Sequence, residues 1–127
     1  MYKKMGCSAQ KVAHEQLFDF TAEVLTASVE SGSGYWALIS RVRRNTNRTI
    51  IAARFVDAEQ TNAVPFEVDG AGIERGIARI LTPSFQINPA LRRLIAGAVA
   101  EFDSGNIDAE AADVIVQDAV FGEIVYG

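Results

Sequence analysis

The feature that most restricts what this chain can fold into is its closing stretch, residues 107–127, IDAEAADVIVQDAVFGEIVYG. Asp108 is placed to cap a helix, and Glu110 and Asp113 put negative charge near that helix's positive end. From Val114 the run is almost wholly apolar: Val114, Ile115, Val116, Ala119, Val120, Phe121, then Ile124 and Val125. A helix apolar on most of its sides must be buried or sit in an interface, so the rest of the chain has to cover it. Gly122 predicts the helix stop, and residues 123–126 read as a short extended tail. Asp113 and Gln117 are four residues apart and share one face of this apolar element. Buried polar groups need partners. Theirs is either the backbone of the glycine loop at residues 30–36, which makes them structural glue, or a ligand held against Tyr35 or Trp36.

At 127 residues the chain is long enough for one domain with a single core, and the whole of 1–127 is expected to be that domain, with residues 1–7 a flexible N-terminus. Hydrophobic residues make up 49% and charged residues 22%, which argues against disorder. A net charge of −4 gives no global basic field, so nucleic acid is an unlikely partner class. The charge is nevertheless polarised. Residues 1–48 carry seven Lys/Arg against four acids, and residues 101–127 carry seven acids and no base. Cys7 stands alone, which excludes an internal disulfide and fits a reducing compartment. The single His14 rules out any site needing two histidines, and no metal, cofactor or catalytic set is expected. With no secretory leader pattern and no apolar run of about 20 residues, a soluble cytoplasmic protein without membrane contact is the expectation.

Residues 8–31 read as a first helix, capped by Ser8, with Leu17, Phe20, Thr21, Val24, Leu25 and Ser28 at helical spacing and Gly32 or Gly34 as its stop. Glu30, Gly32, Gly34, Tyr35 and Trp36 then form the second informative stretch. It matches neither GxxxxGK[ST] nor GxGxxG. One reading is a helix stop feeding a core strand; the other is an aromatic wall beside a glycine loop, with Glu30 free to bond a ligand. Alternation predicts a strand with Trp36, Leu38 and Val42 on one face and Tyr35, Ile39, Arg41 and Arg43 on the other. Arg41, Arg43, Arg44 and Arg48 flank a turn at Asn45, Thr46 and Asn47, a basic cluster that could touch phosphate or an acidic partner, or simply keep a hairpin tip soluble. Residues 49–57 predict the next strand and 63–68 a third, placed at an edge by Pro65. Short links between them imply an antiparallel meander. Asp69 caps a helix to about Leu81, Asn88 and Pro89 open another that Gly105 stops, and the closing helix comes last. The fold class is α+β, a three-stranded meander with about four helices in the order α-β-β-β-α-α-α.

TASVESGSGYW (residues 26–36) and ADVIVQDAVFGEIVYG (residues 112–127) together resemble a family of small bacteriophage proteins that pair an ALEGG-x-x-YW stretch with a closing DADxIVQxALFGExVYG. VDGAGIERGIARIL resembles the centre of that family, so the likeness runs from about Phe18 onward. The departure is Glu30-Ser31-Gly32 where the family has Glu-Gly-Gly. The family has no established reaction; the resemblance implies phage or prophage origin. The expectation is therefore an accessory protein that binds, and so inhibits or modulates, a host protein such as a defence component. The alternative is a binder of a small molecule or nucleotide signal through the glycine loop, Tyr35, Trp36, Asp113 and Gln117. A weaker one is an enzyme pairing Glu30 with Asp113. The apolar tail also fits a homo-oligomer.

Overall fold

The structure, a computed structural model, describes residues 2–127, with side chains from Ala13 onward. The elements run α1 (Tyr2–Ala27), a π-helical turn (Ser28–Gly32), β1 (Ala37–Arg44), β2 (Ile50–Asp57), β3 (Phe66–Asp69), α2 (Gly70–Ile80), α3 (Pro89–Glu101), a 3₁₀ turn (Ser104–Asn106) and α4 (Ala109–Phe121). This is the expected α+β order around an antiparallel three-stranded sheet, β1-β2-β3. Ser8 lies inside α1 and does not cap it. The expectation of a flexible segment over residues 1–7 falls where Met1 and the neighbouring side chains lie outside the described residues. The predicted stripe of α1 is buried from Phe20 through Thr21, Val24, Leu25 and Ser28, while His14, Glu15 and Asp19 face water.

Helices α1, α2 and α4 pack on one another and on the sheet. Ala53, Phe55 and Val68 are buried beneath them with Ile73, Ile77 and Ile80 of α2. Val114, Ile115 and Val116 of α4 join the same core, which is what an all-round apolar helix requires. The caps are local and agree with the sequence. Asp69 Oδ1 accepts from Gly72 N, Asn88 Oδ1 from Ala90 N, and Asp108 Oδ1 from Ala111 N. Gly122 ends α4 at φ +76° with its N–H on the Asp118 carbonyl. Helix α3 stops before Gly105: Phe102 itself takes the left-handed C-cap at φ +49°, and Gly105 sits in the 3₁₀ turn.

Two strand expectations are corrected. Tyr35 and Trp36 precede β1 in a turn, and within β1 it is Ile39, not Leu38, that packs toward the core; Leu38 is 64% exposed. The register slips between Ser40 and Arg43, with Arg41 at φ +47°. That bulge turns Val42 back toward the core, so simple alternation fails across it. β3 begins at Phe66 and not at residue 63, leaving Val64 outside the strand and 83% exposed ahead of Pro65. Ser40, Arg54 and Glu67 lie across from one another on the face opposite the helices, where Arg43 pairs with Glu67 at 2.8 Å.

Gly32 makes the tightest packing contact of the described glycines. A Cβ there would lie 2.6 Å from the Ala109 carbonyl oxygen at the start of α4. Gly34, by contrast, has open space around it. Gly32→Ala is therefore expected to lower the unfolding free energy by about 2 kcal/mol, from forced separation of the π-helical turn and α4. Gly34→Ala is expected to change it by less than about 0.5 kcal/mol. Urea denaturation of the two variants checks both; equal midpoints would show that α4 is free to move away.

Candidate functional site

The π-helical turn ends with Ser33 N bonded to the Ser28 carbonyl, five residues back. The extra residue per turn relative to an α-helix brings the Ser28 and Ser33 hydroxyls to 2.5 Å, both buried. Ser33 then begins a tight turn, with Trp36 N and Ala37 N on its carbonyl, that delivers Tyr35 and Trp36 toward α4.

They converge on Asp113. Its Oδ1 accepts from Ser33 Oγ at 2.8 Å and from Trp36 Nε1 at 2.7 Å; its Oδ2 accepts from Tyr35 Oη at 2.7 Å and from Gln117 Nε2 at 2.8 Å. A carboxylate offers about four lone-pair positions, so all are filled. Because the Ser33 proton goes to Asp113, Ser28 must be the donor in the serine pair. Gln117, fully buried, extends the network to the tail: its Oε1 accepts from Val125 N at 2.8 Å and Tyr126 N at 2.7 Å, and its Nε2 also reaches the Tyr126 carbonyl at 2.9 Å. Tyr126 Oη closes the circuit on the Asp57 carboxylate of β2 at 2.7 and 2.9 Å. The Trp36 indole, with no exposure, packs against Phe55, Phe121 and Tyr126 at centroid distances of 6.3, 5.2 and 5.8 Å.

Four of the predicted residues, Tyr35, Trp36, Asp113 and Gln117, thus meet in one place. The partners of Asp113 are side chains, three from the loop and Gln117 from its own helix, where the loop backbone or a ligand was the expectation. Glu30 is exposed and stands outside this network, so it forms no carboxylate pair with Asp113. Gly32 acts through α4 packing and Gly34 makes no close approach. Arg41, Arg43, Arg44 and Arg48 are exposed toward the far end of β1 from Trp36, a strand of eight residues spanning roughly 25 Å. Arg44 Nη1 bonds the Arg48 carbonyl at 3.0 Å across the hairpin turn.

Ser33, Asp57, Tyr126 and Asp118 were not singled out from the sequence. Asp118 is fully buried, with Oδ1 3.1 Å from Arg79 Nε, while Oδ2 has no hydrogen-bond partner among the described residues. Burial holds its carboxyl above the usual carboxylate range, and Arg79 offsets only part of that rise. The available signal was its position: one residue past Gln117, within the run 111–118 of α4 that is buried throughout.

Tyr35 remains 57% exposed although its hydroxyl is tied to Asp113. It borders a cleft of about 440 Å³ whose walls include Leu91, Val114, Ile124 and Val125, with Glu110 and Asp113 as its acids. A second cleft of about 440 Å³ lies on the other side of Val125, against Val64, Phe66 and Phe121. Among the described residues no group of three or more His, Cys, Asp or Glu could hold a metal ion, and no helix is long and apolar enough to cross a membrane.

Set beside models of known protein families, curated proteins and solved structures, the chain matches none. The chemistry open to the site is therefore set by its own geometry. Both oxygens of Asp113 accept two hydrogen bonds each, and both ends of the Gln117 amide are engaged. The network binds the molecule to itself, and two of the clefts left open beside it meet at Val125.

Trp36→Phe removes one bond to the Asp113 charge and part of the indole volume, and is expected to cost about 3 kcal/mol in urea unfolding. Burial of the hydroxyl and then the bond to Asp113 push the Tyr35 phenol up to about 12. A raised phenol keeps its proton longer folded than unfolded, so this share of stability is intact below pH ~10, the unfolded value, and is lost as pH rises through about 12. Tyr126 is also raised, by its bond to Asp57. The difference between wild type and Tyr35→Phe across that window therefore isolates Tyr35: the gap should narrow with alkali, and a constant gap would refute the assignment.

Proposed function

We propose that this chain is a binding protein of bacteriophage or prophage origin that acts on a protein of the bacterial host, as an inhibitor or modulator. The observation that carries the binding mode is the apolar surface around the tail. Val64, Phe66 and Val125 are 83%, 44% and 48% exposed, and with the Tyr35 ring they border two adjoining clefts. Exposed large apolar groups gathered in one region mark interaction surfaces far more than scattered ones do. Asp113 supports binding over turnover, since its four acceptor positions are already taken. The host setting rests on the resemblance of residues 26–36 and 112–127 to the phage family, and a defence component is the kind of target that setting suggests.

A second reading, capture of a small molecule such as a nucleotide signal, is favoured by the size of the cleft beside Tyr35, about 440 Å³, which lies in the range of ligand sites. Native mass spectrometry of the purified chain before and after mixing with host extract separates the two. The expected result is a complex with a defined protein that Val64→Asp and Val125→Asp abolish, while each variant keeps its unfolding midpoint because the changed side chain is at the surface. An added mass of metabolite size that survives both substitutions would favour the second reading. A bare chain in every sample would remove support from both.

A further inference from the structure

Resting on the partner-binding reading, we infer that the cleft beside Tyr35 receives an arginine or lysine side chain of the partner protein, carried between apolar neighbours. Three independent features converge there. The first is uncompensated charge. Asp113 is 4% exposed and is held by four neutral donors, a hydroxyl each from Ser33 and Tyr35, the Trp36 indole and the Gln117 amide; no lysine or arginine pairs with it among the described residues. Neutral donors satisfy the lone pairs of a carboxylate but leave its net charge in place. Glu110 stands three residues earlier on α4, hence on the same side, and is exposed at the cleft mouth. Among the described residues the lining holds these two acids and neither lysine nor arginine. The amide end of α4 offsets only a fraction of this, about half an elementary charge.

The second feature is the Tyr35 ring. Its hydroxyl is fixed by Asp113, so the ring is held in place while more than half of the residue faces solvent. A fixed aromatic face beside two carboxylates is a favourable surface for a cation, and for the planar guanidinium above all. The third feature is the apolar remainder of the walls. Leu91, Val114 and Val125 can take the methylene stem of a long basic side chain and an apolar residue next to it. A free inorganic cation would find nothing to match those walls. Arg79, the other cation near α4, is bound to Asp118 through Nε and to the Asp118 carbonyl through Nη2, so it does not serve Asp113 from within the chain.

The test uses the full chain, labelled for amide NMR and titrated at low salt with acetyl-Leu-Arg-Leu-amide, its norleucine counterpart acetyl-Leu-Nle-Leu-amide, and arginine amide alone. Saturable shifts at Tyr35, Glu110 and Val125 are expected with the arginine peptide, with about tenfold weaker binding of the norleucine peptide. Arginine amide alone is expected to be weaker by a similar factor, because it lacks the apolar contacts. Glu110→Gln should weaken the arginine peptide by about threefold and lessen its salt dependence, with the unfolding midpoint unchanged. Equal binding of the arginine and norleucine peptides, or shifts confined to other parts of the surface, would overturn the inference. Arginine amide binding as tightly as the peptide would overturn the protein source in favour of a small cationic ligand. A host complex that is lost in Val125→Asp but indifferent to Glu110→Gln would retain the partner-binding reading and refute this one.

Discussion

The arrangement of the helices and the tail about the sheet depends on one carboxylate. Asp113 receives a donor from the end of the π-helical turn, two from the turn that opens β1 and one from its own helix, and through Gln117 it reaches the closing tail. Burying a carboxylate is costly unless its hydrogen bonds are replaced, and here each is replaced at 2.7–2.8 Å. An apolar helix surface alone admits several packings of nearly equal energy. A charge that needs four donors from three segments admits few, so Asp113 sets the depth and rotation of α4 that Val114, Ile115 and Val116 could not set unaided.

Two buried acids of α4 are handled differently. Asp118 has a cation, Arg79, on one oxygen, and its other oxygen faces Gly76, where a Cβ would stand 3.3 Å away. Asp113 has no cation partner among the described residues and every oxygen position filled. The first arrangement ties α4 to α2 and leaves part of the desolvation cost uncompensated. The second ties α4 to the loop before β1 and leaves a negative field at a cleft wall. These are separate solutions to one problem, the presence of acids in the buried stretch 111–118 of α4, and only the second borders a cleft that opens toward solvent.

How much of this could be read in advance divides along local and non-local lines. Asp69, Asn88, Asp108 and Gly122 did what their positions implied because a cap is decided within about four residues. The β1 bulge was hidden because its left-handed residue is Arg41 where glycine would have signalled it, and the tertiary structure overrides the preference. The start of β3 was misplaced because Val64 fits a strand pattern that Pro65 interrupts. The pairing of Asp113 with Gln117 was legible at helical spacing, and the glycine loop was a named candidate for their partner. Which atoms of that loop would arrive was not legible, since Ser33 lies eighty residues away in sequence and reaches Asp113 only because the helix before it widens into a π turn.

That widened turn has a consequence for how the chain can vary. An α-helix can gain or lose surface residues in its loops with little effect on the next element, but a five-residue repeat fixes phase. Ser28 and Ser33 are hydrogen-bonded to each other because one residue more than an α-turn separates them. Shortening this stretch by a single residue would restore regular winding and swing the exit of the helix by about 100°. The Tyr35–Trp36 pair would then leave on the wrong side of α4. Residues 28–33 therefore tolerate changes of side chain more readily than changes of length, and homologous chains that keep the Asp113 network should keep this spacing even where the letters between differ.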